Sequence, residues 1–156
     1  MYAEPTKRLV LVILVLALIP GCSKKTPTTP DPVLQTETFT GTVNLLGSFK
    51  QNFIVGYDQG TSDASVTVTG ITTVANATPL TTTIGVAFGS IAFDGSCTRA
   101  SNYTAPAAAI NQELVASGIF TAATYCVSIF DPAILTPPAT PALTEAVNVT
   151  FVIKHF

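Results

Sequence analysis

The sequence predicts an all-β domain, an antiparallel β-sandwich. Thr and Val are abundant, apolar residues recur mostly at every second position, and turn-forming residues punctuate the chain at short intervals. A period of two with β-branched side chains is the signature of half-buried strands, and frequent turns between them favour antiparallel neighbours.

Taken in order, Phe39, Gly41 and Val43 share one face of a first strand. In a second, Phe49, Phe53 and Val55 alternate with Gln51 and Ile54, and in a third, Val66 and Val68 alternate with Ser65, Thr67 and Thr69. Ile84, Val86 and Phe88 form one apolar face, and Tyr125, Val127 and Ile129 another. A last strand carries Val147, Val149, Phe151 and Ile153 between Asn148, Thr150 and Lys154. Each strand is expected to have one face in a core and one in water, as two antiparallel sheets packed face to face require. Asp58-Gln59-Gly60 and Asp94-Gly95 predict turns, and Asp131-Pro132 with Pro137, Pro138 and Pro141 predicts a stiff loop before the final strand. The segment from Ala105 to Val115 has helical composition and is expected to be a helical turn or a long connection.

Ahead of the strands, Lys7 and Arg8 precede an apolar run from Leu9 to Ile19. As a helix this run covers roughly 17 Å, short of the roughly 30 Å hydrocarbon core of a bilayer. Cations, a short apolar run and a small residue at the cut site make up a secretory signal peptide. Ile19-Pro20-Gly21-Cys22 resembles the lipobox of bacterial lipoproteins, with Pro20 as a departure. The resemblance implies cleavage before Cys22, a diacylglycerol on its sulfur and an acyl chain such as palmitate on its amine. Several chains on one residue make a durable anchor, where one alone holds marginally. The expected organisation is a signal peptide over residues 1–21, a lipidated Cys and Pro/Thr-rich tether over 22–34, and the β-sandwich over 35–156. The location implied is the cell envelope, on the outer membrane in a Gram-negative host, where Ser23 in place of Asp favours that membrane. The partner implied is the membrane, through the lipid.

With Cys22 assigned to lipid, Cys97 and Cys126 remain, an even number in an exported chain, and they are expected to form a disulfide. Closing a loop of about thirty residues stabilises a fold by roughly 3 to 4 kcal/mol in the chain-entropy treatment. A reactive thiol or a metal ligand would need a base or further ligands nearby, and the chain's single histidine is His155.

The stretch from Ala122 to Asp131, the Pro-rich loop after it and Val147-Asn148-Val149-Thr150-Phe151-Val152-Ile153 resemble the end of bacterial pre-peptidase C-terminal domains. Phe39-Thr40-Gly41-Thr42-Val43 and Phe53-Ile54-Val55 fit that family's first two strands, while Ala123 stands where Gly is expected. The resemblance implies a jelly-roll-like sandwich, related in fold to collagen-binding modules.

Charged residues make up 10% of the chain and the net charge is −2. Beyond the tether the bases are Lys50, Arg99 and Lys154, against seven acids. Nucleic acid binding, which needs clustered cations, is excluded. A Ser-His-Asp arrangement would depend on His155, expected to be an exposed residue at a fraying end. Asp58, Asp63, Asp94 and Asp131 all sit in turn contexts, which account for them without catalysis. Asp58 and Asp63 are the candidate ligands for a hard cation such as calcium, although two carboxylates are few. Tyr57 and Tyr103 are expected in loops as a candidate stacking surface for sugars or peptides. No catalytic residue and no cofactor is indicated. The function expected is a non-catalytic envelope module that binds a protein or polysaccharide, or failing that a passive structural lipoprotein.

Overall fold

A computed structural model describes residues 32–56, 61–135 and 142–156. The expected signal peptide, Cys22 and the tether before Pro32 lie outside the described residues, as do Tyr57, Asp58 and the prolines at 137, 138 and 141. Eight strands follow in order: β1 (Gln35–Val43), β2 (Ser48–Val55), β3 (Ser62–Thr73), β4 (Ile84–Ile91), β5 (Cys97–Ala108), β6 (Glu113–Phe120), β7 (Ala123–Phe130) and β8 (Val147–His155). One 3₁₀ turn, Pro132–Leu135, follows β7.

Two four-stranded antiparallel sheets result, with orders β1-β8-β3-β6 and β2-β7-β4-β5. Each sheet interleaves early and late strands, which is the winding of an eight-stranded jelly roll. The core between the sheets takes Val43 from β1, Val66, Val68 and Ile71 from β3 and Val147, Val149, Phe151 and Ile153 from β8. Facing them are Phe53 and Val55 of β2, Ile84, Val86 and Phe88 of β4, and Val127 and Ile129 of β7. Apart from Ile71, which follows the register shift between Val68 and Gly70, these are the positions that the two-residue period marked. Gln51 is the exception, since it shares the side of Phe49 and Phe53 and is half-buried, whereas Ile54 faces out.

Alternation of buried and wet faces holds for the first sheet and fails in the middle of the second. All six residues from Ile84 to Gly89 are buried, as are the last five of β7. The outward side of β4 is Gly85, Ala87 and Gly89, and this lack of bulk lets other groups lie on it. A Cβ on Gly85 would fall within the ring of Phe130, and one on Gly89 would meet the backbone of Thr98 and stand 3.1 Å from Cys97 Sγ. The start of β5 therefore curls over β4, the Cys97–Cys126 disulfide ties β5 to β7 with Cα atoms 5.9 Å apart, and the Arg99 guanidinium caps the Phe130 ring at 4.6 Å. The disulfide expected from the cysteine count is present.

The helical expectation for Ala105 to Val115 is overturned. Ala105–Ala108 finishes β5, a tight turn spans Ala109–Gln112, and β6 starts at Glu113. Gln112 closes the turn twice, its N–H donating to Ala109 O and its side chain accepting from Ala109 N, while Asn111 takes the left-handed φ of 66° that its type tolerates. Alanine favours helix by composition, but β5 is an edge strand and Pro106 falls at its register shift against β4, where proline is tolerated.

The registers place one set of strand ends together. At the proximal end, where the described chain begins, lie the starts of β1, β3, β5 and β7 and the ends of β2, β4, β6 and β8. The distal end is closed by Asp131. Its buried carboxylate accepts N–H bonds from Leu46 (3.1 Å), Ala133 (3.0 Å), Ala142 (3.0 Å) and Leu143 (3.4 Å), which belong to the β1–β2 turn, the 3₁₀ turn and the approach to β8. Burial pushes the Asp131 pKa up, but the four N–H donors together outweigh it and hold the carboxyl below the usual 3.8. A depressed folded pKa adds stability that is complete above the usual value and is lost as pH falls through the folded one. Asp131→Asn is expected to lower stability by about 3 kcal/mol at neutral pH, since it removes a charged acceptor from several bonds. Urea unfolding across pH should show the parent losing its advantage over the variant below about pH 4; an advantage that persists undiminished into strong acid would contradict this.

Candidate functional site

The residues marked by sequence as carriers of chemistry do not assemble into one site. Asp63 is on β3, where its Oδ1 accepts the N–H of Gly118 at 2.7 Å. That glycine has φ 68° within the irregular stretch where β6 slips register against β3, so the carboxylate pins a bulge. Its candidate partner Asp58, and Tyr57, lie outside the described residues. Among the described residues no group of three His, Cys, Asp or Glu side chains is placed to hold a metal.

Tyr103 was expected in a loop. It lies within β5, half-buried and packed against the core, on the stretch where the β4 partner jumps from Thr104 to Arg99. Thr104 Oγ1 spans this stretch by donating to Ala100 O at 2.8 Å. Ser101-Asn102 lies in the bulge that this jump makes in the strand.

His155 also departs from expectation. It is buried, not exposed, because it continues the inward row of Val147, Val149, Phe151 and Ile153 and is flanked by Gln35 of β1 and Ala64 of β3. Nearness to the chain's last residue suggested fraying, whereas the two-residue period would have placed it correctly. Its ring lies 5.3 Å from that of Phe53, in an aromatic cluster that continues through Phe88, Phe120 and Tyr125. Among the described residues neither ring nitrogen has a hydrogen-bond partner, and Glu37 Oε2 stands 3.5 Å from Nε2. The neighbouring Ser62 hydroxyl is directed to Phe120 O at 3.4 Å.

Asp94 and Asp131 are turn residues, as expected. Asp94 caps the β4–β5 turn by accepting from Ser96 N at 2.9 Å, and bonds from the Ser96 side chain and backbone hold its carboxyl below the usual range. The Gly95 carbonyl of the same turn accepts a bond from Lys50.

What the strands do assemble is a surface. The outward side of β1 is Thr36, Thr38, Thr40 and Thr42, which the register sets beside Lys154, Val152, Thr150 and Asn148 of β8, and those in turn beside Ser65, Thr67 and Thr72 of β3. Thr40 and Thr150 share a hydroxyl bond of 3.1 Å, Thr42 donates to Asn148 Oδ1 at 2.8 Å, and Thr69 donates to Thr150 O at 3.2 Å. Strand geometry sets such side chains about 4.8 Å apart across strands and roughly 6.8 Å apart along them. The result is an ordered field of hydroxyls and methyls in which charge is confined to the border, at Lys154, Glu113 and Asp63. Asp63 and Phe156 line two open depressions, one of them bordered also by Lys154.

No family model matches the chain, and no curated protein matches it. Among solved structures it is similar to a mitogen derived from Yersinia pseudotuberculosis, at 12% sequence identity over 80% of this chain and 88% of that one, with a TM-score of 0.45. No helix among the described residues is long and apolar enough to cross a membrane.

A buried imidazole with no hydrogen bond among the described residues, and with only the Glu37 carboxylate 3.5 Å away, is less stable than an apolar ring of similar shape. His155→Phe is therefore expected to raise stability by about 1 to 2 kcal/mol by denaturant unfolding. A loss of that size would show that the imidazole makes a bond on which the native state depends.

Proposed function

We propose that this chain is a non-catalytic, lipid-anchored module of the cell envelope that binds a neutral polysaccharide across the outer face of the β1-β8-β3-β6 sheet. The observation that carries the reading is the threonine field on that face. Sugars present alternating hydroxyls and C–H surfaces, and a rigid array of hydroxyls and methyls without charge meets both. Supporting the location are the lipobox-like Ile19-Pro20-Gly21-Cys22 and the disulfide, which belongs in an oxidising compartment. The strand-pattern resemblance to pre-peptidase C-terminal domains also favours a binding module over an enzyme.

Calorimetric titration of the full chain with soluble neutral glucans and with neutral envelope polysaccharide tests the reading. Saturable binding is expected, and Thr40→Glu should weaken it at least about tenfold, or about 1.4 kcal/mol. Val74→Glu, in the distal β3–β4 loop, should leave it unchanged. Absence of saturable binding to any neutral glycan would leave a passive structural lipoprotein as the better account.

A further inference from the structure

Each sheet has two edge strands, and the edges are not alike. An edge offers unpaired N–H and C=O groups to any strand that reaches it, and proteins blunt it with bulges, prolines and lysines. On β5 the register against β4 shifts twice, and Pro106 lies at one of the shifts. β6 slips against β3 and carries Gly118 at φ 68°. β2 is regular but carries Lys50, whose ammonium is bonded to Gly95 O. β1 has none of these devices. It pairs with β8 over nine residues without a shift and contains no proline and no cation. Its one charge, Glu37, lies on the inward row, 3.5 Å from His155 Nε2.

Bonding in the neighbouring strands fixes which groups of that edge are free. The carbonyls of Val68 and Ile71 accept from Asn111 and Leu80, on the side of β3 away from β8, while Thr150 O accepts from the Thr69 hydroxyl of β3 at 3.2 Å. Val68 and Ile71 stand opposite Phe151 and Val149, so the odd-numbered residues of β8 bond to β1 and the even-numbered ones to β3. The odd-numbered residues of β1 answer them, which leaves the N–H and C=O of Thr36, Thr38, Thr40 and Thr42 without partners among the described residues. We propose that this edge pairs with the same edge of a second copy, β1 antiparallel to β1 about a two-fold axis at Phe39, joining two β1-β8-β3-β6 sheets into one. Thr38 then faces Thr40 and Thr36 faces Thr42 on the outer side, while on the inner side Glu37 faces Gly41 and Gln35 faces Val43. No like charges meet, and about eight ladder bonds form. The 3.1 Å hydroxyl bond between Thr40 and Thr150 is the cross-strand threonine pair that this register repeats. Phe39, half-buried against Phe151, meets its own copy across the axis and is covered. This self-complementary row selects a second copy over an unrelated strand. Both outer faces point the same way, so the threonine field doubles in width, but the pairing rests on neither the anchor nor the glycan reading.

Sedimentation equilibrium of the full chain in a density-matched detergent reads the mass, and amide hydrogen exchange reads the edge. Twice the chain mass is expected at high protein concentration, with exchange at Thr36, Thr38, Thr40 and Thr42 at least about tenfold slower than in dilute protein. Thr38→Pro removes a free N–H and no bond to β8, so it is expected to give a single-chain mass with the fold intact by near-ultraviolet circular dichroism. If that variant does not fold, exchange at the four amides of the parent decides alone. A single-chain mass for the parent at every concentration overturns the pairing, and protection of the four amides in such a monomer would assign the edge to another strand. Exchange at the four amides that does not depend on concentration overturns it as well. A double mass retained by folded Thr38→Pro does the same, since the copies would then meet elsewhere.

Discussion

The buried carboxylate of Asp131 is the constraint on which the distal half of the structure depends. Three connecting segments meet there: the β1–β2 turn, the 3₁₀ turn after β7 and the approach to β8. Each brings backbone N–H groups that the sheets do not satisfy. One carboxylate takes four of them. The Asp131 main chain joins in, its N–H donating to Gly47 O and its carbonyl accepting from Ile134. A charge with no solvent exposure is tolerable only with this number of donors. The same arrangement holds Leu46 at φ 52°, a left-handed conformation that a leucine adopts only when its surroundings dictate it.

With that end closed, the two sheets take on different surfaces. The outward side of the β2-β7-β4-β5 sheet is covered from within the domain, by Phe130, the disulfide and the curled start of β5, which the small residues Gly85, Ala87 and Gly89 admit. The outward side of β1-β8-β3-β6 is left open and carries hydroxyls. Threonine serves both needs there, because its branched Cβ suits a strand and its hydroxyl suits water. The disulfide and the Arg99–Phe130 contact belong to the covered face, so these stabilising groups and the open hydroxyl face are separated by the thickness of the core.

Most of this was legible in the sequence where a single physical rule governed. The inward rows of β3, β4, β7 and β8 follow from the two-residue period, and the cysteine pair from parity and compartment. The misreadings arose where two rules competed. At His155, nearness to the chain's last residue was weighed above strand parity. In Ala105 to Val115, helical composition suggested a helical turn or a long connection where a strand, a tight turn and another strand sit. Tyr103 was expected in a loop where a bulge sits inside a strand. The double burial of β4 had a signal in Gly85-x-Ala87-x-Gly89, which reads as a surface made for close approach. The role of Asp131 as a hub was not legible, because its donors come from positions as far as 85 residues away in sequence.

The molecule divides into a closed distal end, a filled interior and an open hydroxyl face. The most direct measurement of this account is native-state hydrogen exchange at the amides of Leu46, Ala133, Ala142 and Leu143, which by position are loop amides. If the Asp131 carboxylate holds the distal end shut, these four exchange as slowly as the amides of β8, through global unfolding alone. Exchange at the rates of free loops would show that the end opens independently, and that the carboxylate does not hold the structure together.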